Sequence, residues 1–275
     1  MKNILVLGAG GMAGSMVCRY LNSLNKYEIE GVTRQDIDVE LNFDDLYELL
    51  KEKKFDAVIN CIGVLIKDSQ NTPCRAIYIN SLFPHLLEDL FKNMQTKLIH
   101  LSTDCVFDGY QGNYSETEWP TETSWYGRTK ALGEVINDKD LTLRTSIVGP
   151  DLDPANSGDL FSWFMRQSGE ISGYANVYWN GVTTLELAKQ IDRILDTDLS
   201  GLYHLTSDEI MSKYNLLLLF KQVWNKDIAI KSDFSVIKNK RLVNNCKRFY
   251  DPNIPLYKTQ FEELRDSLPT LNYVL

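Results

Sequence analysis

Cysteine and histidine are scarce in this chain of 275 residues, and they are not paired with each other. The five cysteines form no CxxC pair, and the three histidines are scattered singly. Because structural metal sites need ligands at close spacings, this pattern predicts no metal site. An odd number of unpaired thiols is typical of a reducing compartment, so we expect a cytoplasmic protein.

Long apolar runs and an excess of basic residues are also missing. No stretch approaches the roughly 18 apolar residues of a membrane span, and the N-terminal segment KNILVLG lacks the features of a signal peptide. The formal net charge of −8 leaves no broad basic face for phosphates. These absences argue against nucleic-acid and membrane partners. The concentrated basic residues are Lys238, Lys240, Arg241, Lys247 and Arg248.

Six short apolar runs recur along the chain, with helical patterns between them. They lie at residues 4–7, 29–33, 57–61, 97–101, 141–145 and 202–205. Continuous β-rich runs separated by segments of helix length are typical of a parallel sheet that is covered on both faces. The sequence therefore predicts an α/β fold with a Rossmann-type, doubly wound parallel sheet.

Two stretches interrupt this alternation. Residues 151–182 are irregular and rich in aromatic side chains, and residues 228–257 are irregular again. We therefore expect a dinucleotide-binding lobe of residues 1–150, to which residues 182–206 return. Residues 151–181 and 207–275 are expected to form a small C-terminal substrate-binding lobe.

A glycine-rich loop follows the first run. The segment GAGGMAG places Gly8, Gly11 and Gly14 at GxxGxxG spacing, directly before the helical segment SMVCRYLNSL. Glycines at such a turn let backbone N–H groups and a helix N-terminus approach a pyrophosphate. A glycine triplet alone is weak evidence, but its position between a strand and a helix is the one that dinucleotide binding requires.

The residue at the end of the second run bears on the choice of cofactor. Arg34 stands twenty residues beyond Gly14, where a site selective for NAD usually has an acidic residue. A guanidinium accommodates a 2′-phosphate, so the sequence favours NADPH over NADH. NADH stays an alternative because Asp36 and Asp38 lie nearby.

Three polar side chains form a candidate catalytic set. Tyr126 and Lys130 in WYGRTKALGE are four residues apart and share one face of a helix, where an ammonium favours the phenolate form of tyrosine. Thr103 in LSTDCVFDG follows the fourth run, at the sheet edge where ligands bind. Such a tyrosine transfers a proton to a carbonyl oxygen, and the threonine hydroxyl stabilises charge on that oxygen.

Together these features resemble an extended short-chain dehydrogenase/reductase. The phrases LSTDCVFDG, YGRTKALGE, LRTSIVGP and GLYHL are similar to the group of dTDP-4-dehydrorhamnose reductases, from residue 1 to about residue 205. The resemblance implies NADPH-dependent reduction of a nucleotide-diphospho-4-keto-6-deoxysugar for surface polysaccharide or O-antigen synthesis. It makes Thr103, Tyr126 and Lys130 the catalytic residues, and it implies a homodimer formed through helices of the sheet lobe.

The resemblance also assigns residues to the two ligands. Those expected to bind the cofactor are Gly8, Gly11, Met12, Gly14, Arg34, Asn60, Gly63, Ser102, Tyr126 and Lys130. Those expected to bind the substrate are Asp104, Cys105, Val106, Trp179 and Arg241. Arg144, Thr145 and Ser146 are expected to line the nicotinamide pocket, with a structural role as the alternative for Ser146, and Asn80 is expected to support the active-site helix. The aromatic residues Trp163, Phe164 and Trp179 either stack on a nucleotide base or form the core of the small lobe.

Departures from the family pattern keep two other functions open. Cys105 stands where related dehydratases have an acidic residue, and where the epimerising GDP-fucose synthase has a cysteine that transfers protons. The histidine that follows a Gly-Pro pair in that relative is Asp151 here. One alternative is therefore a nucleotide-sugar epimerase or epimerase-reductase. The other is a non-catalytic regulatory subunit, since the β subunit of methionine adenosyltransferase is similar along the same phrases.

Overall fold

The structure is a computed structural model that describes residues 1–153, 158–247 and 249–273. Its strands are β1 Lys2–Leu7, β2 Tyr27–Val32, β3 Ala57–Asn60, β4 Lys97–Thr103, β5 Leu141–Thr145, β6 Ile147–Val148, β7 Gly169–Trp179, β8 Val182–Thr183, β9 Gly201–His204, β10 Met211–Ser212 and β11 Ile228–Asn239. Its α-helices are α1 Met12–Ser23, α2 Phe43–Glu52, α3 Ile66–Asn71, α4 Pro73–Ala76, α5 Phe83–Phe91, α6 Trp125–Leu132, α7 Leu160–Arg166, α8 Thr184–Ile194, α9 Lys213–Val223 and α10 Tyr257–Ser267. A π-helical segment, Ile77–Leu82, joins α4 to α5, and a 3₁₀ turn, Asp104–Val106, follows β4.

Six strands form a central sheet in the order β2-β1-β3-β4-β5-β9. Every neighbouring pair is parallel. Each of the six apolar runs contributes one of these strands, and the predicted doubly wound α/β fold is confirmed. The strand order changes direction between β1 and β3, and ligands of such sheets bind in the crevice outside the carboxyl ends of those strands.

Both faces of the central sheet are buried against helices. Along β1, Ile4 and Val6 belong to one core cluster, which α1 and α8 cover. Leu5 and Leu7 belong to the other cluster, which α2 and α5 cover. Burial on two sides explains why the strand sequences are continuously apolar rather than alternating. No helix within the described ranges is long and apolar enough to cross a bilayer.

A smaller sheet, in the order β10-β7-β11, lies in the C-terminal part of the chain. The rings of Phe161 and Phe220 meet edge to face with their centroids 5.5 Å apart, and Phe164 and Trp224 also contact Phe220. These rings therefore pack in the interior, and the buried phenylalanines belong to the same core cluster as Ile4. One continuous core thus joins the two parts of the chain, and their division into lobes stays a prediction.

The stretches predicted to be irregular contain two long strands. Residues 228–239 form the twelve-residue strand β11, which pairs with β7 in parallel. Ile228 is the one buried residue of β11, and Phe234 and Ile237 are among its exposed side chains. The prediction failed here because β11 lies at an exposed edge, where backbone pairing does not require a regular pattern of buried apolar residues.

The loop between β1 and α1 depends on missing side chains at two positions. Gly8 has a φ of 81°, in the left-handed region that glycine adopts without strain. A Cβ at Gly14 would lie 2.2 Å from the carbonyl oxygen of Gly8. The first turn of α1 therefore approaches the loop as closely as it does because both residues are glycine.

We expect Gly14→Ala to lower the free energy of unfolding by about 1–3 kcal/mol, because the added methyl group meets a backbone atom that cannot move aside cheaply. Gly10→Ala is the matched control, since its Cβ would have no neighbour closer than 3.5 Å. Chemical denaturation of both variants without cofactor measures the difference. Equal losses in the two variants would contradict the close approach at Gly14.

Candidate active site

The predicted cofactor residues near the N-terminus meet at the carboxyl edge of β1 and β3. Gly11 is the N-cap of α1 and offers no side chain, so backbone N–H groups form this helix N-terminus, with Met12 in its first turn. A Cβ at Gly8 would lie 3.1 Å from backbone atoms of the β3 loop, which continues to the exposed Gly63. This glycine cradle, formed by the two loops and the start of α1, fits a pyrophosphate.

Arg34 lies just beyond β2 and is engaged by acidic neighbours. Its Nε donates to Asp38 Oδ2 at 2.9 Å, and its Nη2 lies 3.4 Å from Glu40 Oε2. Glu40 also accepts two bonds from Arg75, at 2.8 and 3.0 Å. The Arg34 side chain is nevertheless 62% exposed, so it stays accessible to an anion that competes with these carboxylates.

Two predicted cofactor residues are buried and bonded inside the protein. Asn60 accepts from the Ile62 backbone N–H at 3.1 Å, and its Nδ2 lies 3.1 Å from His100 Nδ1. Ser102 donates to Glu134 Oε1 at 2.7 Å. Both side chains hold the sheet edge in place, so the structure does not support direct contact between them and a cofactor.

The candidate catalytic hydroxyls meet where β4 ends. Thr103 Oγ1 accepts from the Cys105 backbone N–H at 3.1 Å and donates to Asp104 Oδ1 at 3.2 Å. Tyr126 lies in the first turn of α6. Burial raises the pKa of Tyr126 above its ordinary value, the neighbouring Cys105 raises it further, and the nearby Thr103 hydroxyl acts in the opposite direction. Tyr126 is therefore a protonated phenol at neutral pH, next to the Thr103 hydroxyl.

Close packing at two glycines holds α6, one near its start beside the 3₁₀ turn and one just after its end. A Cβ at Gly127 would lie 2.4 Å from the carbonyl oxygen of Cys105, and one at Gly133 would lie 1.8 Å from that of Asn80. Asn80, in the π-helical segment, also bonds Thr129 Oγ1 at 3.2 Å. As predicted, Asn80 contacts the active-site helix; π-helical turns often mark functional sites.

Lys130 lies one helical turn after Tyr126 on α6, and its side chain is buried. Its Nζ donates to the Leu101 carbonyl at 2.6 Å and lies 3.4 Å from His100 Nε2. Burial lowers the pKa of Lys130 to about 8, against the opposing influence of Glu134 and Cys61. The pKa of Tyr126 is raised on balance, and the lowering influence expected from Lys130 stays a prediction.

Arg144, expected at the nicotinamide pocket, belongs instead to a buried polar network. Its Nε and Nη2 each bond a Glu134 carboxylate oxygen at 2.6 Å, and its Nη1 lies 3.3 Å from His204 Nε2. His204 Nδ1 lies 2.9 Å from the Val243 carbonyl oxygen. The network joins β5, β9 and the C-terminal part. Sequence reasoning missed Glu134 and His204, because their partners lie on other elements of the fold.

Of the predicted substrate residues, Asp104 and Cys105 lie next to Thr103. Burial raises the pKa of the Asp104 carboxyl, and Lys240 and Lys213 partly oppose that shift. Burial and the Asp104 charge raise the pKa of the Cys105 thiol to about 12, so it stays protonated at neutral pH. Lys240 comes from the basic residues noted in the sequence, whereas Lys213 is a new member of the site that nothing in the sequence singled out.

Two other predicted substrate residues are core residues. Val106 is fully buried against Phe107 and Tyr114. Trp179 is 3% exposed, stacks on Tyr257 with ring centroids 5.1 Å apart, and donates its indole N–H to Ser146. Neither side chain reaches an open surface, so this packing does not support contact with a substrate, which stays a prediction for both residues. Their packing positions follow from contacts between distant segments.

The basic residues near the C-terminus are divided among separate partners. Lys240 pairs with Glu122 at 3.0 Å, and Lys247 pairs with Asp208 at 2.6 Å. Arg241 donates to Asn239 at 2.8 Å and lies over the Tyr178 ring. Arg248 lies outside the described residues. The charge of Lys240 acts on Asp104, so Lys240 belongs to the predicted site. Arg241 instead bonds within its own loop.

Within the part of the chain that the structure covers, no group of three or more acidic, histidine or cysteine side chains is arranged to hold a metal ion.

The buried histidine of this network predicts a pH dependence of stability. Burial and the adjacent Arg144 lower the pKa of His204 to about 3, below the value of about 6.5 in an unfolded chain. The unfolded state therefore binds more protons, and this contribution is complete above about pH 6.5 and is lost as the pH falls toward about 3. We expect His204→Leu to make the dependence of unfolding free energy on pH shallower, by up to about 1.4 kcal/mol per pH unit, in denaturation series between about pH 6 and about pH 4.

The control is His85→Leu, whose expected effect on the pH dependence of stability has the opposite sign. Burial opposes protonation of His85, but hydrogen bonds to Glu88 and the Leu132 carbonyl outweigh it and raise the His85 pKa. Its removal should make the pH dependence steeper near neutrality. Parallel curves for the wild type and His204→Leu would contradict a neutral, buried His204.

Similarity to known proteins extends over nearly the whole chain. Residues 1–260 match the family described as the RmlD substrate binding domain. The dTDP-4-dehydrorhamnose reductase of Aggregatibacter actinomycetemcomitans is 26% identical over 259 residues, covering 89% of this chain and 84% of that protein. The methionine adenosyltransferase 2 subunit beta of Xenopus tropicalis is 23% identical over 243 residues, covering 82% of this chain and 72% of that one.

A solved structure has the same fold. The dTDP-4-dehydrorhamnose reductase of Bacillus anthracis str. Ames, in complex with NADP, gives a TM-score of 0.83 at 20% identity, over 97% of this chain and 99% of that chain. The predicted family is confirmed by the match over residues 1–260. The chain belongs to the RmlD substrate binding domain family and is, as predicted, an oxidoreductase of the extended short-chain dehydrogenase/reductase group.

Proposed function

We propose that the chain catalyses the NADPH-dependent reduction of a nucleotide-diphospho-4-keto-6-deoxysugar, for surface polysaccharide or O-antigen synthesis in the cytoplasm. The observation that carries this proposal is the meeting of the Tyr126 and Thr103 hydroxyls at the carboxyl end of β4, in the same sheet edge as the glycine cradle. The related reductases support the class of substrate. From the family resemblance we also expect a homodimer.

The glycine cradle fits a dinucleotide, because side chains at Gly8 and Gly14 would fill the space next to the backbone. A bound nicotinamide dinucleotide supplies the hydride in such a reaction. Arg34 would exchange its bond to Asp38 for one to a 2′-phosphate, which carries more charge than a carboxylate. The related structure that holds NADP supports this choice.

The hydroxyl pair supplies the proton and stabilises the developing charge. Because burial keeps the Tyr126 phenol protonated, it can donate its proton to the oxygen of a sugar ketone. The Thr103 hydroxyl, which donates to Asp104 Oδ1 in this structure, can instead donate to the ketone oxygen as negative charge forms there. Lys213 and Lys240, whose charges act on Asp104, add positive potential beside the pocket for an anionic substrate.

The protonation of Cys105 bears on the epimerase alternative. A base that abstracts a proton from the sugar must be deprotonated, and burial holds the Cys105 thiol in its protonated form. This favours a reductase over an epimerase. The regulatory alternative has its own support in the similarity to the methionine adenosyltransferase subunit. Loss of turnover on mutation of Tyr126 separates catalysis from regulation.

We expect Tyr126→Phe to reduce kcat at least about 100-fold, because it removes the proton donor and little else. The measurement is NADPH oxidation with dTDP-4-keto-6-deoxyglucose and with its 3,5-epimerised product. Tyr110→Phe is the matched control, since Tyr110 is 87% exposed. Turnover by Tyr126→Phe at the wild-type rate would contradict the assigned role. NADPH binding by the wild type without turnover on either sugar would favour the regulatory alternative.

We expect Arg34→Ala to weaken NADPH binding about 10- to 100-fold and to leave NADH binding nearly unchanged, because only NADPH carries the phosphate that Arg34 would bind. Calorimetric titration of the two cofactors measures the ratio. Lys51→Ala removes the same charge from a surface helix and should change neither affinity much. Equal losses for the two cofactors would contradict a 2′-phosphate site at Arg34.

A further inference from the structure

His100 lies on β4 against the candidate catalytic lysine. Its side chain is fully buried, with Nδ1 3.1 Å from Asn60 Nδ2 and Nε2 3.4 Å from Lys130 Nζ. The chemistry proposed above does not use this ring, although it contacts Lys130. The hydrogen-bonding groups around the ring determine which nitrogen carries its proton.

The orientation of the Asn60 amide is fixed by the backbone. Its Oδ1 accepts from the Ile62 N–H at 3.1 Å, and a backbone N–H can only donate. With the amide reversed, two donors would face each other at Ile62. The Asn60 NH₂ group therefore points at His100, and Nδ1 of the ring must accept.

This constraint places the ring proton on Nε2. Burial holds the pKa of His100 well below its ordinary value, so the ring is neutral. A neutral imidazole carries one proton, and Nδ1 is already an acceptor. The Nε2–H therefore points at Lys130 Nζ.

Lys130 Nζ thus meets a donor on one side and an acceptor on the other. It donates to the Leu101 carbonyl at 2.6 Å. An ammonium has only donors, whereas an amine keeps one lone pair that can accept from the Nε2–H of His100. The arrangement is complementary to the amine and opposes the ammonium.

The other titratable groups around Lys130 act in both directions. Burial lowers its pKa to about 8, and Glu134 and Cys61 raise it. Glu134 is already paired with Arg144 through two bonds of 2.6 Å. The Cys61 thiol stays protonated because burial raises its pKa. The groups that favour the ammonium are thus weakened by their own surroundings.

We propose that His100 is a positioning residue for Lys130: Asn60 fixes the tautomer of His100, so that its Nε2–H faces Lys130 Nζ and favours the neutral amine. The tautomer and the protonation state of Lys130 are properties of the cofactor-free protein. Only their effect on turnover rests on the proposed reductase function.

The chain's three histidines provide an internal comparison. His204 donates from Nδ1 to the Val243 carbonyl and accepts at Nε2 from Arg144, which is the opposite tautomer. His85 has an acceptor at each nitrogen, Glu88 at 2.8 Å and the Leu132 carbonyl at 2.9 Å, which favours the imidazolium. The structure therefore assigns a different protonation state to each histidine.

Nitrogen NMR of the full, cofactor-free chain, labelled with ¹⁵N at histidine, tests this assignment directly. Single substitutions of His85 and His204 identify the signals. We expect a bare Nδ1 and a protonated Nε2 for His100, and the reverse for His204. A proton on Nδ1 of His100 near neutral pH would overturn the proposal without any variant at the site.

The second measurement follows the titration of Lys130 by ¹³C NMR of lysine Cε, with Lys130→Met to identify its signal. Asn60→Asp provides an acceptor for a proton on Nδ1, so His100 should present a lone pair to Lys130 and raise its midpoint by about one pH unit. Asn60→Leu has the same shape without the charge and should shift the midpoint in the same direction. Tyr110→Phe is the control, since Tyr110 is 87% exposed, and it should leave the Lys130 midpoint unchanged.

The outcomes separate the tautomer from simple charge effects. A shift in Asn60→Asp alone, with none in a folded Asn60→Leu, would show that charge and not the tautomer acts on Lys130, and would overturn the proposal. Should Asn60→Leu fail to fold, the wild-type tautomer still decides. Failure of the reductase assay would leave both NMR results standing, so the two proposals fail separately.

Discussion

Every polar side chain on the buried part of β4 needs a partner inside the protein, and these partners hold the active-site helix. His100 contacts Lys130, and Ser102 donates to Glu134 just after the helix ends. Because β4 lies within the six-stranded sheet, water is not available to satisfy these groups. The position of α6, and with it the distance between Tyr126 and Thr103, therefore depends on internal hydrogen bonds.

The same burial determines the charges of the site. It raises the pKa of Tyr126 and lowers that of Lys130 to about 8, and in both cases the charged form is the one disfavoured. The Tyr126 phenol consequently stays protonated, and Lys130 loses its proton at a lower pH than an ordinary lysine does. Lys213 and Lys240 both act on Asp104. Burial lowers the pKa of Lys213. Burial also opposes the charge of Lys240, but Cys105, Glu122 and Asp104 outweigh it and raise the Lys240 pKa. Lys240 is thus a persistent cation beside the pocket, which suits an anionic substrate.

The sequence predicted features that depend on local spacing or on long patterns. Continuous apolar runs predicted the central strands, and the GxxGxxG spacing predicted the loop at Gly8 and Gly14. The spacing of four residues predicted that Tyr126 and Lys130 lie on one helix. Features that depend on contacts between distant segments were missed. Val106 and Trp179 fit a pocket by sequence position, yet Val106 is buried in a cluster with the distant Leu242, and Trp179 stacks on the distant Tyr257. A single sequence does not reveal which strand or helix will cover a side chain.

The network of Glu134, Arg144 and His204 shows why buried polar groups specify this site more than they stabilise it. Removing two charges from water costs several kcal/mol, and their attraction at 2.6 Å mainly offsets that cost. Any other packing of these segments would leave Glu134 or Arg144 unpaired, which is far more costly than the pairing is favourable. The neutral His204 extends this specificity to the C-terminal part, because its Nδ1–H needs the Val243 carbonyl. The active-site helix and the C-terminal part are therefore tied to one arrangement by the requirement that no buried donor or charge lacks a partner.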